Sequence, residues 1–200
     1  MNEIFDRIAD ELVDKNYAII DSFLSSEEVK AILALPHFAQ HEQHFKKAGI
    51  GKNADLQINE AIRGDYILWL DKNTASPAAL VYLNRLSELI QHLNRSLFLS
   101  LKDYEVHMTV YPVGTYYKRH LDQFKKDDKR KLSVICYLNE SWKEEQGGQL
   151  RIYTEGTSQD VLPIAGRLVC FRSDVLEHEV LPATRERLSL TGWIVDRAFE

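Results

Sequence analysis

His120 and Asp122 stand two apart at the end of YEVHMTVYPVGTYYKRHLD, the run Tyr104–Asp122, which alternates like an extended strand. Residues i and i+2 of a strand share a face, so one imidazole and one carboxylate are aimed at a single point. His178, in EHEV, is the candidate third ligand. Two imidazoles and one carboxylate on one face make the facial set that binds Fe(II) and leaves three coordination positions open. In a chain of 200 residues with 7 His, chance supplies roughly half of one His-x-Asp pair, so the pair takes its meaning from its surroundings.

Those surroundings include RLSLTGWIV, Arg187–Val195. As a strand it puts Arg187, Ser189, Thr191 and Trp193 on one face and Leu188, Leu190 and Ile194 on the other. With the apolar face covered by helices, Arg187 turns inward, and a buried guanidinium requires an anion. A protein carboxylate and the distal carboxylate of a small diacid both satisfy it. Tyr137 points away from Val134, Cys136 and Leu138, and Tyr111 shares a face with Thr109. Both are either core tyrosines with satisfied hydroxyls or the lining of a ligand cavity.

The elements that must position these residues come in two blocks. Ile4, Phe5, Ile8 and Leu12 repeat at helical spacing, predicting a helix over about Asn2–Lys15. Tyr17–Ile20 reads as a short strand. Ser25 and Glu28 form a capping box ahead of Val29, Ile32 and Leu33, closed by Pro36. His37, His41 and His44 read as a polar segment rather than a metal site, since no Cys or carboxylate completes them. Lys46–Asn59 is polar, with two glycines, and reads as a mobile loop. Ser76 and Pro77 open a long helix whose buried stripe is Leu80, Leu83, Leu86, Ile90 and Leu93. From Asp103 onward the period is two: strand-like runs at Leu132–Leu138, Gln149–Tyr153, Arg167–Phe171 and Leu188–Val195, with Phe124–Lys131 a solvated charge run. Helices followed by many short strands predict an α+β chain whose second half forms a sandwich or jelly-roll barrel.

Composition narrows the classes. A hydrophobic fraction of 44% with 28% charged residues describes an ordinary globular chain, expected as one domain over residues 1–200, with helices and a flap loop to 102 and the main barrel strands from 103. A net charge of −5 argues against a broad nucleic-acid or membrane surface, so neither partner is expected. The amino terminus, MNEIFDRIADELVDK, lacks the apolar core of a secretory signal, and Cys136 and Cys170 sit in apolar runs as reduced core residues, so the expected location is the cytoplasm.

Taken together, YPVGTYYKRHLD, SVICYLNESW, GGQLRIY and EHEVLPATRERLSLTGW resemble the prolyl-hydroxylase type of the Fe(II)/2-oxoglutarate-dependent dioxygenases, and in particular bacterial relatives of the oxygen-sensing animal prolyl hydroxylases. The resemblance extends upstream through Ile62–Leu70 and Asn16–Ile32. It implies a double-stranded β-helix (jelly-roll) barrel with the N-terminal and central helices packed on one sheet. It makes His120, Asp122 and His178 the iron ligands and Arg187 the partner of the 2-oxoglutarate C5 carboxylate. Tyr111, Tyr137, Leu150 and Thr191 match cosubstrate-pocket positions, while Arg63, Asp65, Arg130 and Trp193 match positions near the substrate. The Lys46–Asn59 loop corresponds to the family's flap. The implied reaction is hydroxylation of a proline-containing protein or peptide, a translation elongation factor being one candidate. O2 is consumed, succinate and CO2 are formed, and ascorbate is a candidate reductant. Hydroxylation of a free amino acid or other small metabolite, and a non-enzymatic iron- or dicarboxylate-binding sensor, stand as the alternatives.

Overall fold

The computed structural model describes residues 1–39, 44–49, 62–123 and 128–197. The helices with described bounds are α1 (Asn2–Lys15), α2 (Ser26–Leu33), α3 (Pro36–Ala39) and α4 (Pro77–Leu97), ahead of most of the strands. The strands are β1 (Tyr17–Ile20), β2 (Lys46–Lys47), β3 (Tyr66–Leu70), β4 (Asp103–Tyr111), β5 (Tyr117–His120), β6 (Arg130–Tyr137), β7 (Leu150–Thr154), β8 (Thr157–Val161), β9 (Leu168–Arg172), β10 (His178–Val180) and β11 (Arg187–Val195). They form a seven-stranded sheet, β1-β9-β6-β11-β4-β3-β2, facing a four-stranded sheet, β5-β10-β7-β8. Every strand pairing is antiparallel. This is the jelly-roll arrangement.

Local chemistry sets the helix ends. The Ser25 hydroxyl accepts from Glu28 N at 3.2 Å and the Glu28 carboxylate accepts from Ser25 N at 2.8 Å, a capping box that contributes about 1 kcal/mol. Ser76 caps α4 through Ala79 N at 3.3 Å, and Pro77 occupies the first turn. The buried stripe of α4 includes Tyr82 and Leu89 besides Leu83, Leu86, Ile90 and Leu93, while Leu80 is only half-buried. These side chains, with Phe5, Ile8 and Leu12 of α1, pack on Val106, Met108, Val134, Cys136, Leu190 and Ile194. Helices therefore cover the outer face of the large sheet. No helix among the described residues is long and apolar enough to cross a membrane.

The inner face is a second cluster that includes Tyr111, Tyr137, Ile135, Leu150, Ile152, Phe171 and Val180. Antiparallel register arranges its large-sheet wall in rows. Arg187 opposes Tyr111; Ser189 lies between Thr109 and Tyr137; Thr191 lies between His107 and Ile135; Trp193 lies between Glu105 and Ser133. β3 extends two of these rows, with Ile67 beside Thr109 and Trp69 beside His107. The alternation expected of β4, β6 and β11 is what separates this wall from the helix-covered one.

Two expectations change. Lys46 and Lys47 are not loop but a short edge strand, paired with Ile67 and Tyr66, because β3 offers them an open edge; residues 50–59 of the expected flap lie outside the described residues. The charge run over Phe124–Lys131 is not wholly solvated: Arg130 opens β6 and is buried against Glu105 and Trp193, with 124–127 outside the described residues. Of the three early histidines, His37 is the second residue of α3 and its ring meets that of His44 edge-on, while His41 lies outside the described residues.

Candidate active site

β5 and β10 pair with His120 directly opposite His178, so strand spacing brings the two imidazoles together, their ring centroids 4.3 Å apart. Asp122 lies just beyond the end of β5 and completes the set. Its Oδ1 is 3.4 Å from His120 Nε2 and its Oδ2 is 3.6 Å from His178 Nε2. The ligating atoms of the three residues all lie within 4.8 Å of one another. Both rings are held the same way: Nδ1 of His120 lies 2.6 Å from the Lys118 carbonyl and Nδ1 of His178 lies 3.1 Å from the Leu176 carbonyl. A carbonyl accepts only from N–H, so each Nδ1 carries a proton and Nε2 is the atom each ring presents to a metal.

Charge completes the preparation. Burial alone would raise the Asp122 carboxyl, but His178, His120 and the Ser133 hydroxyl hold it well below the usual carboxylate range. Burial lowers His178 to about 4, more than offsetting the nearby Asp122 carboxylate. At neutral pH the cluster thus offers an anionic oxygen and an unprotonated buried imidazole, the forms a metal binds. Ser133 donates to Asp122 Oδ2 at 2.6 Å and is tied to Ser173 at 2.8 Å. These donors suit Fe(II) with three protein positions filled.

Arg187, at the other end of the lumen wall, is 2% exposed. Its guanidinium faces the Tyr111 and Tyr137 rings at 4.9 and 5.1 Å, and Nη2 reaches the Tyr137 hydroxyl at 3.5 Å. Nε and Nη1 are buried with no hydrogen-bond partner, and no carboxylate among the described residues pairs with it. Of the two anions open to Arg187, the protein carboxylate is therefore absent from this site. Burial raises both tyrosines above their ordinary values, with Arg187 only partly opposing it, so both phenols keep their protons and can donate. A forked cation beside hydroxyl donors is a seat for a carboxylate. Gly148 forms its back wall at φ 71°, where a Cβ would stand 3.0 Å from Ala183, 3.1 Å from Trp142 and 3.5 Å from Arg187 Cδ.

One pocket joins the two ends. It is lined by His120, Asp122, His178, Arg187, Tyr111, Leu150 and Thr191, and also by Arg63, Asp65 and Trp193. Tyr137 backs it through Arg187 and Arg130 through Trp193. Arg63 and Asp65 form a two-point pair at 2.7 and 2.6 Å. The Arg63 guanidinium lies over Tyr117, whose ring stacks on His120 at 3.6 Å. Arg130 lies 3.4 Å over the Trp193 ring while bonded to Glu105. Sequence reasoning did not single out His107, Thr109, Tyr117, Ile135 or Val180, which also line the pocket, nor Ser133. For all but Tyr117 the signal was present: each lies an even number of residues from a chosen one on the same strand, as Val180 does from His178, whereas Tyr117 stands three residues from His120, where the β5–β10 register shifts.

A two-sheet barrel enclosing a His-Asp-His set and, further along its wall, an unpaired buried arginine defines a facial-triad, diacid-using oxygenase. A family model described as the 2OG-Fe(II) oxygenase superfamily matches residues 106–195. The chain belongs to that superfamily, and the relatives it matches include prolyl hydroxylases. It is 31% identical, over 98% of its length, to the hypoxia-inducible factor prolyl hydroxylase of Caenorhabditis elegans, of which it spans 28%. Among solved structures it is similar to a Pseudomonas putida prolyl-4-hydroxylase, at 39% identity, 97% of this chain, 100% of that one and a TM-score of 0.87. It is also similar to a Trichoplax adhaerens prolyl hydroxylase in complex with a hypoxia-inducible factor peptide fragment, at 29% identity, 98% and 90% coverage and a TM-score of 0.87.

Proposed function

We propose that this chain hydroxylates a prolyl residue of a protein, with 2-oxoglutarate and O2 as cosubstrates and succinate and CO2 as coproducts. Bound at His120, Asp122 and His178, Fe(II) would couple oxidative decarboxylation of 2-oxoglutarate to C–H hydroxylation, one oxygen atom entering succinate and the other the product. The chain's own residues prepare that chemistry. Arg187 and the Tyr137 hydroxyl take the distal carboxylate, fixing the cosubstrate's reach toward the metal. Lys118 and Leu176 carbonyls hold the two Nδ1 atoms and so turn both Nε2 atoms toward the metal position, and Ser133 holds the carboxylate in place. Leu150, Ile152 and Val180 exclude water from the lumen. Arg63, Asp65, Arg130 and Trp193 border the space left for the target residue.

The observation that carries the reading is Arg187: a buried guanidinium with two unpartnered N–H groups, in the lumen that holds the triad. The full-length similarity to the Pseudomonas putida enzyme supports proline as the target. A translation elongation factor, modified in the cytoplasm, is the substrate we favour from the resemblance to bacterial members. Incubating the protein with Fe(II), 2-oxoglutarate and purified elongation factor or cell-lysate peptides tests both levels. A mass gain of one oxygen on a proline supports the reaction, and its position in the factor supports the partner. If succinate formation is stimulated only by free amino acids or metabolites, the protein-substrate reading fails.

A further inference from the structure

Trp69 is 51% exposed although it lies on the lumen-side row of the large sheet, directly beside His107. Its indole meets the His107 ring edge-on at 4.9 Å and lies 6.4 Å from Trp193, and His107 is 5.6 Å from Trp193. His107 and Trp193 line the iron pocket, and Trp69 continues the same aromatic surface outside it. The carboxylate seat lies elsewhere, since Arg187 opposes Tyr111 two rows along the wall. Neither metal nor cosubstrate chemistry uses Trp69, and an exposed indole at the mouth of a pocket is an apolar surface waiting for cover.

The spacing says what covers it. Side chains on one face of an extended chain repeat every ~6.6 Å, and the two indoles are 6.4 Å apart. An extended peptide that lays its target ring on Trp193, inside the pocket, sets its next same-face side chain on Trp69. We propose that Trp69 is a specificity-determining residue: it seats the side chain two positions from the hydroxylated residue and selects an apolar one. The inference rests on the peptide-hydroxylase reading above and names a position in that substrate.

The test uses a synthetic peptide library with one fixed proline and randomised flanks, incubated with Fe(II)- and 2-oxoglutarate-loaded protein; hydroxylated products are sequenced by mass spectrometry. In the wild type, Leu, Ile, Val, Met or Phe is enriched about fivefold two positions to one side of the hydroxylated residue. Trp69→Ala abolishes that enrichment while hydroxylated products still form, and Trp69→Phe restores it, an outcome that a general loss of folding does not produce. An unchanged flank preference in Trp69→Ala overturns the role of Trp69 and leaves the hydroxylase reading standing. Absence of hydroxylated peptide even with wild-type protein overturns the peptide reading and this inference with it.

Discussion

Replacing Arg187 with Met removes the guanidinium and keeps much of the stem's volume. Two of its N–H-bearing nitrogens are buried without partners, and each such group costs about 1–3 kcal/mol while it stays unsatisfied. The cosubstrate-free variant should therefore be more stable than the wild type by roughly 1–3 kcal/mol even on a single-group count. For a chain of this size that is a rise of about 2–12 °C in Tm. The cosubstrate favours the wild type instead. At about 100 times its Kd, 2-oxoglutarate should stabilise the metal-loaded wild type by about 2.7 kcal/mol, and Arg187→Met should lose most of that gain. Arg187→Lys keeps the charge but not the fork, so its 2-oxoglutarate affinity should fall by about 1–3 kcal/mol, or roughly 5- to 150-fold. Thermal unfolding under argon with Fe(II), titrated with 2-oxoglutarate, reads all three effects. A cosubstrate-free Arg187→Met less stable than the wild type, with its 2-oxoglutarate shift intact, would refute the anion seat.

Asp122→Ala deletes the one anionic ligand and should abolish Fe(II) binding, checked by metal content after dialysis; retained iron would sink the assignment of the centre. Ser133→Ala frees Asp122 Oδ2 and should weaken metal binding about 10- to 100-fold, with calorimetric titration as the check. His107 and His178 are lowered by burial from 6.5 to about 4. As pH falls through 6.5 the unfolded imidazoles protonate first, so the metal-free protein should lose stability progressively down to about pH 4. His107→Leu should flatten that loss by up to about 3 kcal/mol; identical slopes in denaturant titrations across this range would contradict the burial argument.

Period two made the inner wall readable. Alternation along β4 and β11 assigns His107, Thr109 and Tyr111, and Arg187, Thr191 and Trp193, to one side, and the register places them there. Capping chemistry likewise marked the starts of α2 and α4. What escaped was of three kinds. β8, TSQDV, carries four exposed residues in five, so no hydrophobic alternation marks it; pairing with β7 alone makes it a strand. Asp122 reaches the metal position from beyond the strand end, so its convergence with His120 owes as much to the turn and to Ser133 as to the i, i+2 rule. Ser133 itself looked like one more small residue in SVICYL, because its importance lies in a carboxylate eleven positions away.

Each ligand imidazole is tethered to a carbonyl two residues back on its own chain, Lys118 for His120 and Leu176 for His178. The orientation of either ring is thus a local property of its strand, carried along wherever that strand goes, while only the distance between the rings belongs to the sheet. Metal uptake then has little left to organise, and the centre would fail by separation of two correctly aimed halves rather than by scrambling of either one. Fraying of three-residue β10 would release iron long before the helix-backed sheet on the far side noticed.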